Sequence, residues 1–104
     1  MSQNEQVIYV AVRKDLEMPH GKAIAQACHA VLDLDCKDCA IIVIKADHYE
    51  HLMEMKDEAI LEEIPYAIIK DAARTVFKLP TVTCGAFGPT NKGSMISLND
   101  CKLY

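Results

Sequence analysis

The chain has 104 residues, 51% of them apolar and 25% charged, with 11 basic and 15 acidic side chains giving a formal net charge of −4. That length predicts a single domain, 1–104, with a core that needs no staples, and no apolar run approaches the roughly 20 residues of a membrane-spanning helix. The opening MSQNEQ lacks the basic and apolar regions of an export signal, and the acidic balance excludes a general nucleic-acid coat, so any nucleic-acid contact is expected to be local.

Gln6 to Val12, centred on VIYVAV, is a β-branched run expected to form a buried strand. Arg13 to His20 is polar, contains Pro19 and reads as a loop. From Gly21 to about Leu34 the period turns helical: Ile24, Cys28, Val31 and Leu32 form an apolar stripe expected to face the core. Ala23, Ala25, Ala27 and Ala30 are small enough for close packing. Asp35 to Asp38 is a polar connection, and Ala40 to Lys45 (AIIVIK) a second buried strand. Asp47 to Glu63 reads as a second helix, with Asp47 as its cap, Glu50 completing a capping box, and Leu52, Met55, Ala59 and Ile60 as its inner face. Tyr66 to Ile69 is the third strand and Thr81 to Phe87 the fourth. After Gly88-Pro89 the tail NKGSMISLND reads as a weakly periodic helix. Two helical crossovers predict βαβ units and a parallel core. The short link from Lys70 to Pro80 favours antiparallel or mixed addition of the last strand. The expected architecture is α/β, a three-layer sandwich with a mixed four-stranded sheet and helices on both faces.

In open α/β sheets ligands gather at the carboxyl ends of the parallel strands. Here that rim carries KDLEMPHGK and KDAART. Lys22 beside Asp71 would hold that carboxylate ionised. Thr75 supplies a hydroxyl, and Arg74 a planar fork for a phosphate or carboxylate. Lys22, Gln26, His29 and Asp33 recur at helical spacing as one polar stripe. It reads either as a solvated face or as the wall of a site whose first-turn N–H groups attract anions. Lys22 there opposes the helix dipole, and local conflicts of that kind mark functional positions. Arg13, Lys14, Lys70, Arg74 and Lys78 flank the same rim, as phosphate contacts or as solvated cations.

Five cysteines and no visible export signal predict free thiols in a reducing compartment. Cys36 and Cys39 form a CxxC, but between a helix and a strand rather than at the helix N-terminus a redox motif uses. A zinc site there would need two more ligands, with His29 and Cys101 conceivable. His20, His48 and His51 read as surface residues, and there is no HExxH, GxGxxG or GxSxG pattern.

The segment MPHGKAIAQACHA, Met18 to Ala30, resembles the motif M-x-x-G-K-x-A-A-Q-x-x-H-A of type II peptidyl-tRNA hydrolases, matching at Met18, Gly21, Lys22, Ala25, Gln26, His29 and Ala30. DAART, Asp71 to Thr75, is similar to the family's D-A-G-R-T; TVTCGAFGP, Thr81 to Pro89, to its final strand; and CKLY to its K-L-Y ending. The resemblance runs through nearly the whole chain. It implies hydrolysis of the ester joining a peptide to the 3′ ribose of tRNA, in the service of translation. It also implies no metal or organic cofactor, a cytoplasmic setting and often a homodimer. It assigns catalysis to Lys22, Asp71 and Thr75 and support to Gln26, His29 and Arg74; by their place flanking the rim, Arg13, Lys14, Lys70 and Lys78 are the expected tRNA contacts. Ala73 replaces the family glycine, Val76 and Phe77 stand where Gln-Ile is usual, and the stretch from about Leu34 to Cys39 is short enough to lose a family helix. A non-catalytic binding or interaction module on the same fold is therefore the alternative to the hydrolase. A thiol redox protein using Cys36 and Cys39 stands third.

Overall fold

The computed structural model describes residues 6–71 and 79–104. Its elements are β1 (Gln6–Arg13), α1 (His20–Leu32), β2 (Ala40–Ala46), α2 (Tyr49–Leu61), β3 (Tyr66–Asp71) and β4 (Thr81–Asn91), then a 3-10 turn at Ile96–Leu98. The alternation of β1 sorts the core. Val7, Tyr9 and Ala11 join a cluster with Leu52, Met55 and Ala59 of α2. Ile8, Val10 and Val12 join another with Ala23 and Ala30 of α1. The result is an α/β fold with a mixed four-stranded sheet in the order β2-β1-β4-β3.

β1 pairs parallel with β2, and β4 runs antiparallel to both β1 and β3. The antiparallel return after β3 follows the expectation from the short link. The parallel core is narrower than expected, because β4 slots between β1 and β3 and leaves β1–β2 as the one adjacent parallel pair among the described residues. β1, β2 and β3 nonetheless point the same way, so their carboxyl ends share one rim. β4 also runs on past Phe87 to Asn91, through a register shift opposite Val7 to Tyr9 that absorbs the cis Gly88-Pro89 peptide. A bulge suits Pro89, which has no ladder N–H. A Cβ on Gly88, at φ +142°, would stand 2.5 Å from the carbonyl oxygen of Val7, so only glycine fits.

Two helix faces differ from the periodic reading. α1 buries Ala23, Gln26 and Ala30, while Ile24 is 63% and Leu32 79% exposed. The small residues let the helix lie close on the sheet. The apolar stripe overhangs instead and lines, with Ile41, Val43 and Tyr104, an open groove of about 650 Å³. On α2 the inner face is Leu52, Met55 and Ala59 as expected, but Ile60 is exposed. The cap is His48 rather than Asp47: the His48 imidazole accepts the His51 N–H at 3.1 Å. Asp47 is drawn away by Lys14, 2.9 Å distant.

Beyond β4 only the turn Ile96–Leu98 is helical; Glu58 of α2 accepts the N–H groups of Ile96 and Ser97, at 2.6 and 3.1 Å, and the Ser97 hydroxyl. The last residues cover the edge of β2, where Lys45 N–H meets the Lys102 carbonyl at 2.9 Å and Tyr104 N–H the Val43 carbonyl at 2.9 Å. Cys36 and Cys39 are joined in a disulfide, Cα–Cα 5.8 Å, and are not the free thiols expected. The tight turn between α1 and β2 brings them within bridging distance. Cys28, Cys84 and Cys101 are free, and Cys101 lies against His51. No helix among the described residues is long and apolar enough to cross a membrane.

Candidate active site

The shared rim is where α1 begins. Pro19 fixes the approach, and its carbonyl accepts the Ala23 N–H at 3.0 Å, closing the first turn. Lys22 lies in that turn, and Asp71 is the last residue of β3. Their side chains meet: Lys22 Nζ donates to Asp71 Oδ1 at 2.5 Å, with only 14% and 7% of the two side chains exposed. A pair this sheltered from water is costly to break, because removing one partner strands the other charge. Residues far apart in the chain are thus joined at the position that the strand-end rule selects.

A cavity of about 360 Å³ opens beside the pair, lined by Gln26, His29, Asp33, Ile68, Ile69, Lys70 and Asp71. The polar stripe of α1 is therefore the cavity's wall along Gln26, His29 and Asp33. Gln26 is buried, while His29 and Asp33 are exposed. Beneath the wall, the wholly buried Thr83 of β4 donates its hydroxyl to Gln26 Oε1 at 2.6 Å. Thr83 was not singled out by sequence. Period-two alternation sends it to the Phe87 face, and nothing local announces the break in register between Ile69 and Lys70 that turns it toward α1.

The expected phosphate contacts divide. Arg13 Nε and Nη2 donate to Asp15 at 3.0 and 2.7 Å, Nη1 donates to the Val82 carbonyl at 2.9 Å, and the guanidinium lies 5.9 Å from the Tyr49 ring centroid. That hydrogen-bonded guanidinium holds the Asp15 carboxyl below its ordinary range. Lys14 pairs with Asp47 and lowers that carboxyl likewise. Lys70 is exposed at the cavity. Thr75, Arg74 and Lys78, with Ala73, Val76 and Phe77, lie outside the described residues. Among the described residues no group of three or more His, Cys, Asp or Glu side chains is placed to hold a metal ion.

The sequence model of the family "Peptidyl-tRNA hydrolase PTH2" matches residues 6–99. A curated relative, the peptidyl-tRNA hydrolase of Haloquadratum walsbyi, is 36% identical over 93 residues, covering 77% of this chain and 82% of that protein. The peptidyl-tRNA hydrolases of Metallosphaera sedula and Methanocaldococcus jannaschii are each 33% identical, over 97 and 95 residues, again covering 77% of this chain and 83% of theirs. With the matched segment running from β1 through the 3-10 turn, and so including the Lys22–Asp71 pair, the chain belongs to the peptidyl-tRNA hydrolase PTH2 family.

Proposed function

We infer that this chain hydrolyses the ester bond of peptidyl-tRNA, releasing a peptide and a reusable tRNA, with Lys22 and Asp71 at the centre of the reaction. The observation that carries the reading is the sheltered 2.5 Å contact between those two side chains beside a polar cavity, inside the segment matched by the family. Asp71 orients a water molecule and takes its proton as the water oxygen attacks the ester carbonyl carbon. Lys22 fixes that carboxylate and sets positive charge where the carbonyl oxygen becomes an oxyanion. The bond from the carbonyl carbon to the ribose 3′ oxygen then breaks, and the departing oxygen takes up the proton that Asp71 received, becoming the tRNA hydroxyl and restoring the carboxylate. Thr75, by its place in the family motif, positions the water. Gln26, His29 and Arg74 support the site, and Lys70 with Lys78, Arg13 and Lys14 meets the tRNA backbone. The reaction needs no metal or organic cofactor. The working form is a single-domain cytoplasmic protein, paired as a homodimer.

Release of an N-blocked amino acid from tRNA tests this. Asp71→Asn and Lys22→Met should each lower kcat at least about 100-fold, and the double variant should lose little more, because the two groups act as a unit. Activity persisting in the double variant would remove the site. An inert wild type that still binds peptidyl-tRNA would favour the interaction module.

A further inference from the structure

The register shift in β4 has a chemical consequence at the cavity wall. Ile69 and Lys70 of β3 are consecutive, yet they face Cys84 and Val82, so Thr83 is the extra residue of a bulge. Val82 packs with the α2 cluster and Cys84 belongs to the α1 cluster. Strict alternation would send Thr83 the same way as Gly85 and Phe87. The bulge turns it instead onto α1, where its hydroxyl meets Gln26 Oε1 at 2.6 Å while the Cys84 thiol donates to the Gln26 carbonyl at 3.4 Å. Bulges commonly re-aim a side chain beside an active site. Two consecutive side chains of β4 thus grip one residue of the helix, by its amide and by its backbone.

The hydroxyl fixes which way that amide points. Its one proton has two acceptors in reach, Gln26 Oε1 at 2.6 Å and the Ile69 carbonyl at 3.5 Å. The reverse orientation of the amide would leave the proton only the longer contact. The amide oxygen is held below by Thr83, and Gln26 lines the cavity together with Asp71, which leaves the NH2 group as the polar end available to a substrate there. Among the described residues no protein acceptor takes those N–H groups. Resting on the hydrolase reading above, we propose that Thr83 is a positioning residue that locks the Gln26 amide so that its N–H donates to the ester carbonyl oxygen, stabilising the oxyanion as water attacks. Gln26 touches the reacting oxygen; Thr83 acts through it.

A preorganised donor of this kind contributes about 100- to 1,000-fold to kcat. Gln26→Leu should therefore lower kcat about 100-fold. Thr83→Val, which keeps shape and removes the hydroxyl, should lower it about 10-fold with KM changed less than about twofold. Thr83→Ser restores the hydroxyl and should return kcat to within about twofold of wild type, a rescue that a purely structural role would not require. In a Gln26→Leu background Thr83→Val should have no further effect on kcat, since the residue it positions is gone. Thr83→Ala serves in the same comparison if the valine variant fails to fold. A full kcat in Thr83→Val, or an undiminished loss in the Gln26→Leu background, overturns the role of Thr83 while leaving the hydrolase reading intact. An inert wild type overturns both.

Discussion

Cys84 shows what burial does to a single ionisable group. Its side chain lies wholly under α1, and loss of water pushes its thiol from an ordinary 9.0 up to about 11. A folded pKa above the unfolded one favours the fold in the protonated form. The contribution is complete below about pH 9 and is lost as pH rises through about 11. A shift of that size is worth ~2–3 kcal/mol. Urea unfolding between about pH 8 and pH 11.5 should therefore show stability falling more steeply in wild type than in Cys84→Ala. Equal slopes would contradict the assignment. The comparison uses slopes because the cavity left by alanine lowers stability at every pH.

Among the elements, α2 does two jobs. Its inner face packs under β1, and its outer Glu58 reaches across to cap the 3-10 turn that follows β4, accepting two backbone N–H groups and the Ser97 hydroxyl. Those donors lie in a stretch too short to satisfy them internally. Glu58→Ala should cost about 1–2 kcal/mol in denaturant unfolding. Amide exchange should accelerate at Ile96 and Ser97, and unchanged exchange there would show that the cap contributes nothing. α1 is the element whose sequence misleads. Its strongest apolar residues, Ile24 and Leu32, stay exposed, because alanine at 23 and 30 permits a closer approach to the sheet than the larger side chains would.

For the molecule as a whole, net charge −4 leaves little general attraction for a polyanion. Several rim cations are already engaged: Arg13 by Asp15, Lys14 by Asp47 and Lys22 by Asp71. With Lys70, Lys78, Arg13 and Lys14 as the proposed phosphate contacts, the dependence of KM on salt should be moderate, with a logarithmic slope of about 3. Lys70→Glu should raise KM several-fold and reduce that slope by about 1. A slope near 6 in wild type would instead require a broad basic footprint that this charge distribution does not offer.

Local chemistry was enough to determine the order of strands and helices along the chain, the antiparallel return of β4 and the meeting of Lys22 with Asp71 at the rim, because β-branched runs, helical spacing and motif residues are written within a few positions of one another. Three outcomes were decided only by packing at a distance. They are the insertion of β4 between β1 and β3, the choice of the alanine face of α1, and the bulge that turns Thr83 onto Gln26. Each depends on which surfaces lose water together once the chain closes, and that quantity belongs to pairs of residues separated by dozens of positions rather than to any window of sequence.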